Sequence, residues 1–156
     1  MKTMIKRMCI ATLLMLAVFV EVKAESTVYF FVDFRFSNPS YPIMINGTKA
    51  FSLDPKLWST TGGMNSYNMC ARKVTFKNEG TFVISTECPT PKNTVLKAEI
   101  NLNVEDRQTY YVLFNSNIKK TFYAEEMSEK DGLKLLKKAQ SSKKYTINDD
   151  FVYEGK

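Results

Sequence analysis

The sequence predicts a mainly β protein, an antiparallel β-sandwich or open barrel of about seven strands with one C-terminal amphipathic helix. Three observations support this class. Residues 27–36 and 94–104 alternate apolar and polar side chains, with the period of two that half-buried strands show. Turn residues separate further short apolar segments. After Ser128 the apolar period lengthens to that of a helix.

The first 24 residues have the pattern of a secretory signal peptide. Three basic residues begin it, an apolar run follows over residues 10–20, and Ala24 ends it as a small residue at a cleavage site. The run is shorter than the roughly 20 residues of a spanning helix. We therefore expect an exported protein, periplasmic or secreted after cleavage, rather than one that keeps an uncleaved anchor. No later run suggests a membrane span in the mature chain.

The composition of the predicted mature chain, which would begin at Glu25, indicates its number of domains and its net charge. Residues 25–142 suit one β-sandwich domain, followed by a polar C-terminal tail over residues 143–156. The signal holds four of the 22 Lys and Arg and one of the 16 Asp and Glu, so the mature net charge is +3. A charge of this size does not indicate a nucleic-acid partner.

The chain contains no histidine. This excludes Ser-His-Asp and Cys-His catalysis and most zinc sites. No nucleotide-binding, metalloprotease or nucleophile-elbow motif occurs either. We expect no catalytic residue, no cofactor and no metal. Adjacent acids at residues 125–126 and 149–150 leave a carboxylate-based hydrolase as an alternative.

The first three elements follow from apolar alternation and turn residues. In the strand over residues 27–36, Val28, Phe30 and Val32 share one face with Phe34 and Phe36. Residues 37–42 break it. Asn46-Gly47 then joins two apolar segments, which predicts a hairpin because both residues tolerate positive φ. Asn46-Gly47-Thr48 also matches a glycosylation sequon, but the turn is the favoured interpretation.

Residues 54–66 are predicted to be a loop with a recognition role. They contain the only tryptophan, Trp58, and Asn65, and Tyr67 follows directly. Aromatic, amide and hydroxyl side chains on a supported loop are typical of binding sites. The alternative is that Trp58 covers one end of the core and the rest is a connection.

The cysteines of the mature chain predict a disulfide. Strands over residues 67–76 and 81–86 flank Asn78-Glu79-Gly80, which suits a three-residue hairpin loop. That register places Cys70 opposite Cys88 in a pair without direct hydrogen bonds, where the Cα atoms approach most closely. In an oxidising compartment we expect a structural disulfide, since the close spacing of redox-active pairs is absent.

The last elements are strands over residues 94–104 and 110–114, a hairpin partner over 118–123, and a helix over 128–140. Ser128 is the expected N-cap. Leu133 and Leu136 are expected to be buried against the sheet, and they share one apolar sector of the helix with Leu135 and Ala139. Lysines 134, 137 and 138 lie opposite, either simply solvated or facing an anionic surface. Residues 145–147 and 151–153 have the composition for one more short strand.

One succession of motifs resembles a known kind of domain. A Leu-rich helix follows five features in this order: the strand over residues 29–36, the Asn46-Gly47 turn, the Glu79-Gly80 turn, the strand over 98–104 and Tyr110-Tyr111. This order resembles small β-sandwich domains of unknown function in bacterial cell-envelope proteins, PEGA-like in style. The resemblance implies a bacterial envelope protein and carries no catalytic residues.

Three functions are compatible with these features. The leading hypothesis is a non-catalytic secreted or periplasmic envelope module that binds a protein or glycan partner. The second is a secreted inhibitor that presents the 54–66 loop to the active site of a hydrolase. The third is a carboxylate-based hydrolase, which needs two acids that converge in a cleft.

Overall fold

A computed structural model describes residues 25–33, 40–89, 94–116 and 121–155. The predicted signal peptide lies outside the described residues, as do Phe34 and Phe36 of the first predicted strand. Within the described ranges the chain is mainly β with a single helix, which confirms the predicted class at that level.

The described elements alternate short strands with one late helix. The strands are β1 (Ser26–Val32), β2 (Tyr41–Ile45), β3 (Thr48–Leu53), β4 (Leu57–Thr61), β5 (Met64–Tyr67), β6 (Met69–Phe76), β7 (Gly80–Pro89), β8 (Val95–Val104), β9 (Thr109–Ser116), β10 (Phe122–Glu126), β11 (Tyr145–Ile147) and β12 (Phe151–Tyr153). The helix, α1 (Glu129–Ser141), lies between β10 and β11. The described strands therefore outnumber the seven expected.

Two larger sheets carry most of these strands. The first has the order β10-β9-β1-β6-β11, with β12 also beside β6. The second has the order β3-β2-β7-β8 and is antiparallel throughout. The first sheet is mixed, because β1 runs parallel to β9 and β6 runs parallel to β11 and β12. The expectation of an antiparallel arrangement is therefore wrong for this sheet. No closed barrel forms in the described part of the chain.

One hydrophobic core joins the inner residues of both sheets. Its fully buried members include Phe30 of β1, Ile43 of β2 and Ile84 of β7. The alternation that predicted β8 is confirmed, since Ala98 and Leu102 are buried while their polar neighbours are exposed. In β1 the core face is as predicted, but Phe31 on the opposite face is fully buried in a second cluster with Leu135 of α1, so the expectation of a half-buried strand is wrong. Burial of these apolar faces supplies the main apolar contribution to folding.

The β2–β3 hairpin turns at Asn46 and Gly47, as the sequence predicts. Their φ angles are 50° and 78°, the left-handed values that this turn requires. The side chain of Asn46 also has a packing role, since its Oδ1 accepts a hydrogen bond of 2.9 Å from the backbone N–H of Val83. The turn is thereby fixed against β7.

The predicted Cys70–Cys88 hairpin is wrong. Strand β6 lies in the mixed sheet and β7 in the antiparallel sheet, so the chain crosses between sheets at residues 77–79. Cys70 pairs with Val32, and Cys88 pairs with Leu96. Both cysteines are buried free thiols, and no disulfide joins them. A short turn with a glycine is compatible with either a hairpin or a crossing between sheets, and the sequence signal cannot distinguish the two.

Helix α1 packs on the outer face of the mixed sheet. It begins after Ser128, whose Oγ accepts a hydrogen bond of 3.2 Å from the N–H of Asp131. Its buried residues are Gly132, Leu135 and Ala139. Leu136 is only partly buried, and Leu133 is 40% exposed, so the expectation that Leu133 is buried is wrong.

The C-terminal segment returns to the mixed sheet. The residues 145–147 and 151–153 form β11 and β12, both beside β6. Tyr145 is buried, and its hydroxyl donates a hydrogen bond to Asp33 at the end of β1. The ammonium of Lys138 lies 3.7 Å from the same carboxylate. These contacts hold the segment in the position from which it supports the candidate site.

Candidate functional site

Residues 57–67 form a two-stranded arm. Strands β4 and β5 pair with each other in a ribbon that is separate from both larger sheets. The prediction of an irregular loop over residues 54–66 is therefore wrong. Serine, threonine and asparagine dominate the segment, and these residues mask the apolar alternation by which strands are recognised.

The arm turns at Gly62 and Gly63. Their φ angles are 60° and 77°, and positive φ at both central residues is the geometry of a tight hairpin turn that matches strand twist. Near the turn, Thr60 Oγ1 donates a hydrogen bond of 2.9 Å to Asn65 Oδ1. The tip is therefore a regular hairpin with a side-chain link across its strands.

A β-bulge interrupts the ribbon at Trp58. Leu57 pairs with Tyr67 and Ser59 pairs with Ser66, which leaves Trp58 as the extra residue between the two pairs. Trp58 is 46% exposed and Leu57 is 54% exposed. Neither residue is a member of the two buried clusters of the described residues.

Hydrogen bonds from the C-terminal segment fix the base of the arm. The N–H of Lys56 donates to Thr146 Oγ1 at 3.0 Å. The N–H of Asp54 donates to Asn148 Oδ1 at 2.9 Å, and Asn148 Nδ2 donates back to the Asp54 carbonyl at 2.9 Å. The chain that enters the arm is therefore joined to β11 and the residue after it.

The chain that leaves the arm is held on both sides. The N–H of Asn68 donates to the Lys56 carbonyl at 2.8 Å, and the N–H of Met69 donates to the Lys144 carbonyl at 3.1 Å. Asn68 Nδ2 donates to the Lys143 carbonyl at 3.3 Å. The base of the arm is thus tied to the turn between α1 and β11.

The arm has no charged residue over positions 57–68, although charged residues make up 24% of the chain. Three exposed lysines surround its base instead, and we call them the lysine collar: Lys56, Lys143 and Lys144. No ion pair involves them within the described ranges. The uncharged arm therefore rises from a positively charged base.

Three large apolar residues of the arm and of β11 are exposed. Ile147 is 53% exposed, and it follows Thr146, which accepts a hydrogen bond from the residue before Leu57. We call Leu57, Trp58 and Ile147 the anchor patch. Large exposed apolar patches are typical of interaction sites, which makes these residues candidates for contact with a partner.

The structure brings together some of the predicted site residues. Trp58 and the half-buried Tyr67 both lie near the base, whereas Asn65 lies toward the tip, bonded to Thr60. Sequence patterns do not single out Ile147 or the collar lysines 143 and 144 as site residues, since they lie about 80 residues further along the chain. The lysine run is visible in the sequence, but its place at the base of the arm depends on hydrogen bonds to Asn68 and Met69 and on the parallel pairing of β11 with β6.

The cysteines and the paired acids offer little chemistry. Burial raises the pKa of both the Cys70 and the Cys88 thiols, which favours the unreactive protonated form. Asp150 pairs with Lys73 at 3.4 Å on the surface, and residues 125–126 are exposed. No group of three or more potential metal ligands occurs in the part of the chain that the structure describes.

A shallow groove lies elsewhere on the described part of the chain. It has a volume of about 450 Å³ and lies between the β2–β3 hairpin and the C-terminal strand. Its polar lining includes Asn46, Lys49 and Glu154. The Asn46 side chain is already engaged with β7, so the groove presents few convergent polar groups, whereas a small-molecule site depends on such groups.

Comparison with family models, curated proteins and solved structures gives no match. In the described part of the chain, no helix is both long and apolar enough to cross a membrane. The arm, with its anchor patch and collar, is the feature whose geometry best suits recognition.

Proposed function

We propose that this chain is a non-catalytic envelope module, exported to the periplasm or secreted, which binds a protein or glycan partner through the arm. The two larger sheets and their shared core would act as a β-sandwich scaffold, in keeping with the resemblance to envelope domains. The observation that carries the proposal is the half-exposed Trp58 at a bulge of a ribbon whose base is fixed by hydrogen bonds.

The energetics of exposure favour a binding role for the anchor patch. Leaving large apolar side chains in water forgoes about 1.5–3 kcal/mol of burial each. Leu57, Trp58 and Ile147 are each about half exposed. Tryptophan is enriched among the residues that dominate binding interfaces, so a partner that covers this patch would recover the burial.

An inhibitor of a hydrolase is the second candidate function, and the projection of the arm favours it. An inhibitor presents a fixed segment to an active site, and the base of the arm is fixed by hydrogen bonds from residues 143–148. A carboxylate-based hydrolase receives no such support, since the paired acids are exposed on the surface.

Capture from envelope extract tests the proposal. The immobilised mature protein is compared with Trp58→Ala and with a variant in which an Asn-Gly turn replaces residues 57–67. That turn is feasible because Lys56 and Asn68 already form a hydrogen-bonded pair of 2.8 Å. The control is Val95→Ala, since Val95 is also an exposed apolar residue, 59% exposed on β8.

We expect a captured partner with the natural chain and with Val95→Ala, and its loss with both arm variants, with thermal midpoints nearly unchanged. Equal capture by all four proteins would contradict the proposal. Capture of a hydrolase whose activity falls on binding would favour the inhibitor, whereas release of the partner by soluble glycan would assign the glycan class.

A further inference from the structure

We infer that the binding partner of the arm is an extended, acidic segment of a protein. This segment adds as a β-strand to the outer edge of β5 and places its acids on the lysine collar. This inference rests on the proposed function and names the partner class of the same site. It depends on which edge of the arm is open, what lies at the end of that edge, and how charge is distributed.

The outer edge of β5 is open in the described part of the chain. The ribbon contains β4 and β5 alone, so each strand has one edge without a neighbour. An unpaired edge presents a row of backbone N–H and C=O groups that can pair with another chain. Domains that bind extended peptides use such an edge, with main-chain hydrogen bonds for affinity and side-chain contacts for specificity.

The hydrogen bonds at the base of the arm show which residues lie at the end of the outer edge of β5. Successive N–H groups of an extended chain point to opposite sides. The N–H of Asn68 points to Lys56 on the β4 side, and the N–H of Met69 points to Lys144 on the other. The outer edge of β5 therefore runs down to Lys143 and Lys144, in line with β11, which occupies the same side of β6.

Charge then selects the partner. The arm is uncharged over residues 57–68, and the collar has three lysines. Asp33 is engaged by Tyr145 and Lys138, whereas Asp54 keeps its charge, since its hydrogen bond of 2.6 Å comes from the neutral hydroxyl of Ser40. No ion pair holds the three collar lysines in the described part of the chain. A strand that ends in Glu or Asp residues would therefore meet their ammonium groups there, and basic segments would be repelled.

The tip of the arm argues against a lipid surface as the occupant. Residues 60–63 are threonine and glycine, and a turn leaves backbone groups that hydrocarbon cannot satisfy. The apolar anchors lie near the base instead, beside the collar. A chain laid along the arm can reach the anchors and the collar at once, with Trp58 as an anchor and the lysines at the rim.

The single tryptophan provides a direct readout, because the fluorescence of the whole protein reports on the arm. The probes are ten-residue synthetic peptides of alternating threonine and valine with three glutamates at the N-terminal or the C-terminal end. Matched peptides carry three lysines instead, and a third set is N-methylated at alternate residues to remove strand pairing. Chitooligosaccharide and anionic phosphatidylglycerol vesicles represent glycan and lipid.

We expect one acidic peptide to change Trp58 emission saturably, with no saturable change from the lysine peptides, the N-methylated peptides, the glycan or the vesicles. Lys143→Ala combined with Lys144→Ala should weaken binding about tenfold, since each exposed charge contributes modestly. The matched control, Lys134→Ala with Lys137→Ala on the exposed face of α1, should change it less than twofold.

Several results would overturn the inference while leaving the proposed function standing. These are arm-dependent capture from extract without binding of any acidic peptide, equal binding of lysine and glutamate peptides, equal binding by the collar variant, or saturation by glycan or vesicles alone. Arm-dependent self-association in sedimentation velocity, without peptide binding, would assign the edge to a second copy of the chain. Loss of both peptide binding and arm-dependent capture would contradict both proposals.

Discussion

Gly132 of α1 packs directly against the aromatic ring of Tyr111 on β9. A Cβ atom built on Gly132 would overlap the carbon atoms of that ring, so only glycine fits at this position. Tyr111 also stacks on Tyr29 of β1, with ring centroids 5.5 Å apart. The pair therefore sets both the distance between helix and sheet and the face that the helix presents.

Gly132→Ala should destabilise the protein by about 1–3 kcal/mol, the usual range for overpacking a close contact. At an open helical position the same change would stabilise by about 1 kcal/mol, because glycine is a poor helix former. The sign of the effect is therefore informative. Urea denaturation measures it, and an unchanged or higher midpoint would mean that α1 does not contact Tyr111.

Leu135→Ala should cost about 2–5 kcal/mol, the range for truncating a buried leucine. Leu135 is buried against the mixed sheet, whereas Leu133 is 40% exposed two positions earlier. Leu133→Ala is therefore the matched control and should change stability by less than about 0.5 kcal/mol. Equal losses in the two variants would show that the helix is rotated about its axis.

The sequence predicts the helix and its cap but not the helix orientation. Leu133, Leu135 and Leu136 are apolar alike, and hydrophobicity alone cannot rank them. The deciding contact is made by Gly132, which has no side chain and contributes nothing to an apolar pattern. A mid-helix glycine is an indirect signal of a close approach, and its partner Tyr111 is identified only by the sheet order.

In a chain that begins at Glu25 and so lacks Cys9, Cys70 and Cys88 should both titrate as free thiols. Cys70 and Cys88 lie in the shared core on strands of different sheets, and both are protonated in the folded protein because burial raises the pKa of each thiol. The folded protein should react slowly with a thiol reagent, and the unreduced, unfolded protein should release two equivalents. A disulfide would give none, and one fast thiol in the folded state would contradict the burial.

Stability should fall at alkaline pH, in part through Cys70. Burial raises the pKa of Cys70 above its ordinary value of 9.0, so the thiol ionises more readily in the unfolded chain. Its contribution is complete below about pH 9 and is lost as pH rises above that value, by about 1.4 kcal/mol per pH unit. Denaturation curves between pH 7 and 11 should therefore show a smaller alkaline loss for Cys70→Ala than for the natural protein.

An alkaline loss of the same size in Cys70→Ala would show that Cys70 does not contribute. The Cys88 thiol and the hydroxyls of Tyr41, Tyr111 and Tyr145 contribute in both proteins, since burial raises the pKa of each of them as well. The comparison of two proteins at each pH removes their common contribution.

Some residues of the candidate site can be predicted from local sequence, and others depend on contacts between distant parts of the chain. Trp58, Asn65 and Tyr67 could be found from composition, because aromatic and amide residues gather in one short segment. The collar and Ile147 could not, because their position depends on β11 pairing beside β6 about 75 residues away in sequence. The ribbon was also not predictable, because its polar residues mask the apolar alternation of strands. The wrongly predicted Cys70–Cys88 hairpin also has a long-range cause. A short turn with a glycine does not show whether the next strand joins the same sheet or a different one.

Asn148→Ala should loosen the arm without unfolding the protein. The Asn148 side chain makes two hydrogen bonds of 2.9 Å with the backbone of Asp54, at the entry to the arm, and both are lost in the variant. Exposed hydrogen bonds contribute about 0.5–1.5 kcal/mol each, so the global midpoint should fall modestly. Trp58 should become more mobile, which time-resolved fluorescence anisotropy detects as a larger fast component.

Asn101→Ala, at an exposed position on β8, is the control and should leave the anisotropy decay unchanged. If Asn148→Ala leaves it unchanged as well, Asn148 is not needed to hold the arm, and support would come instead from Thr146 and Asn68.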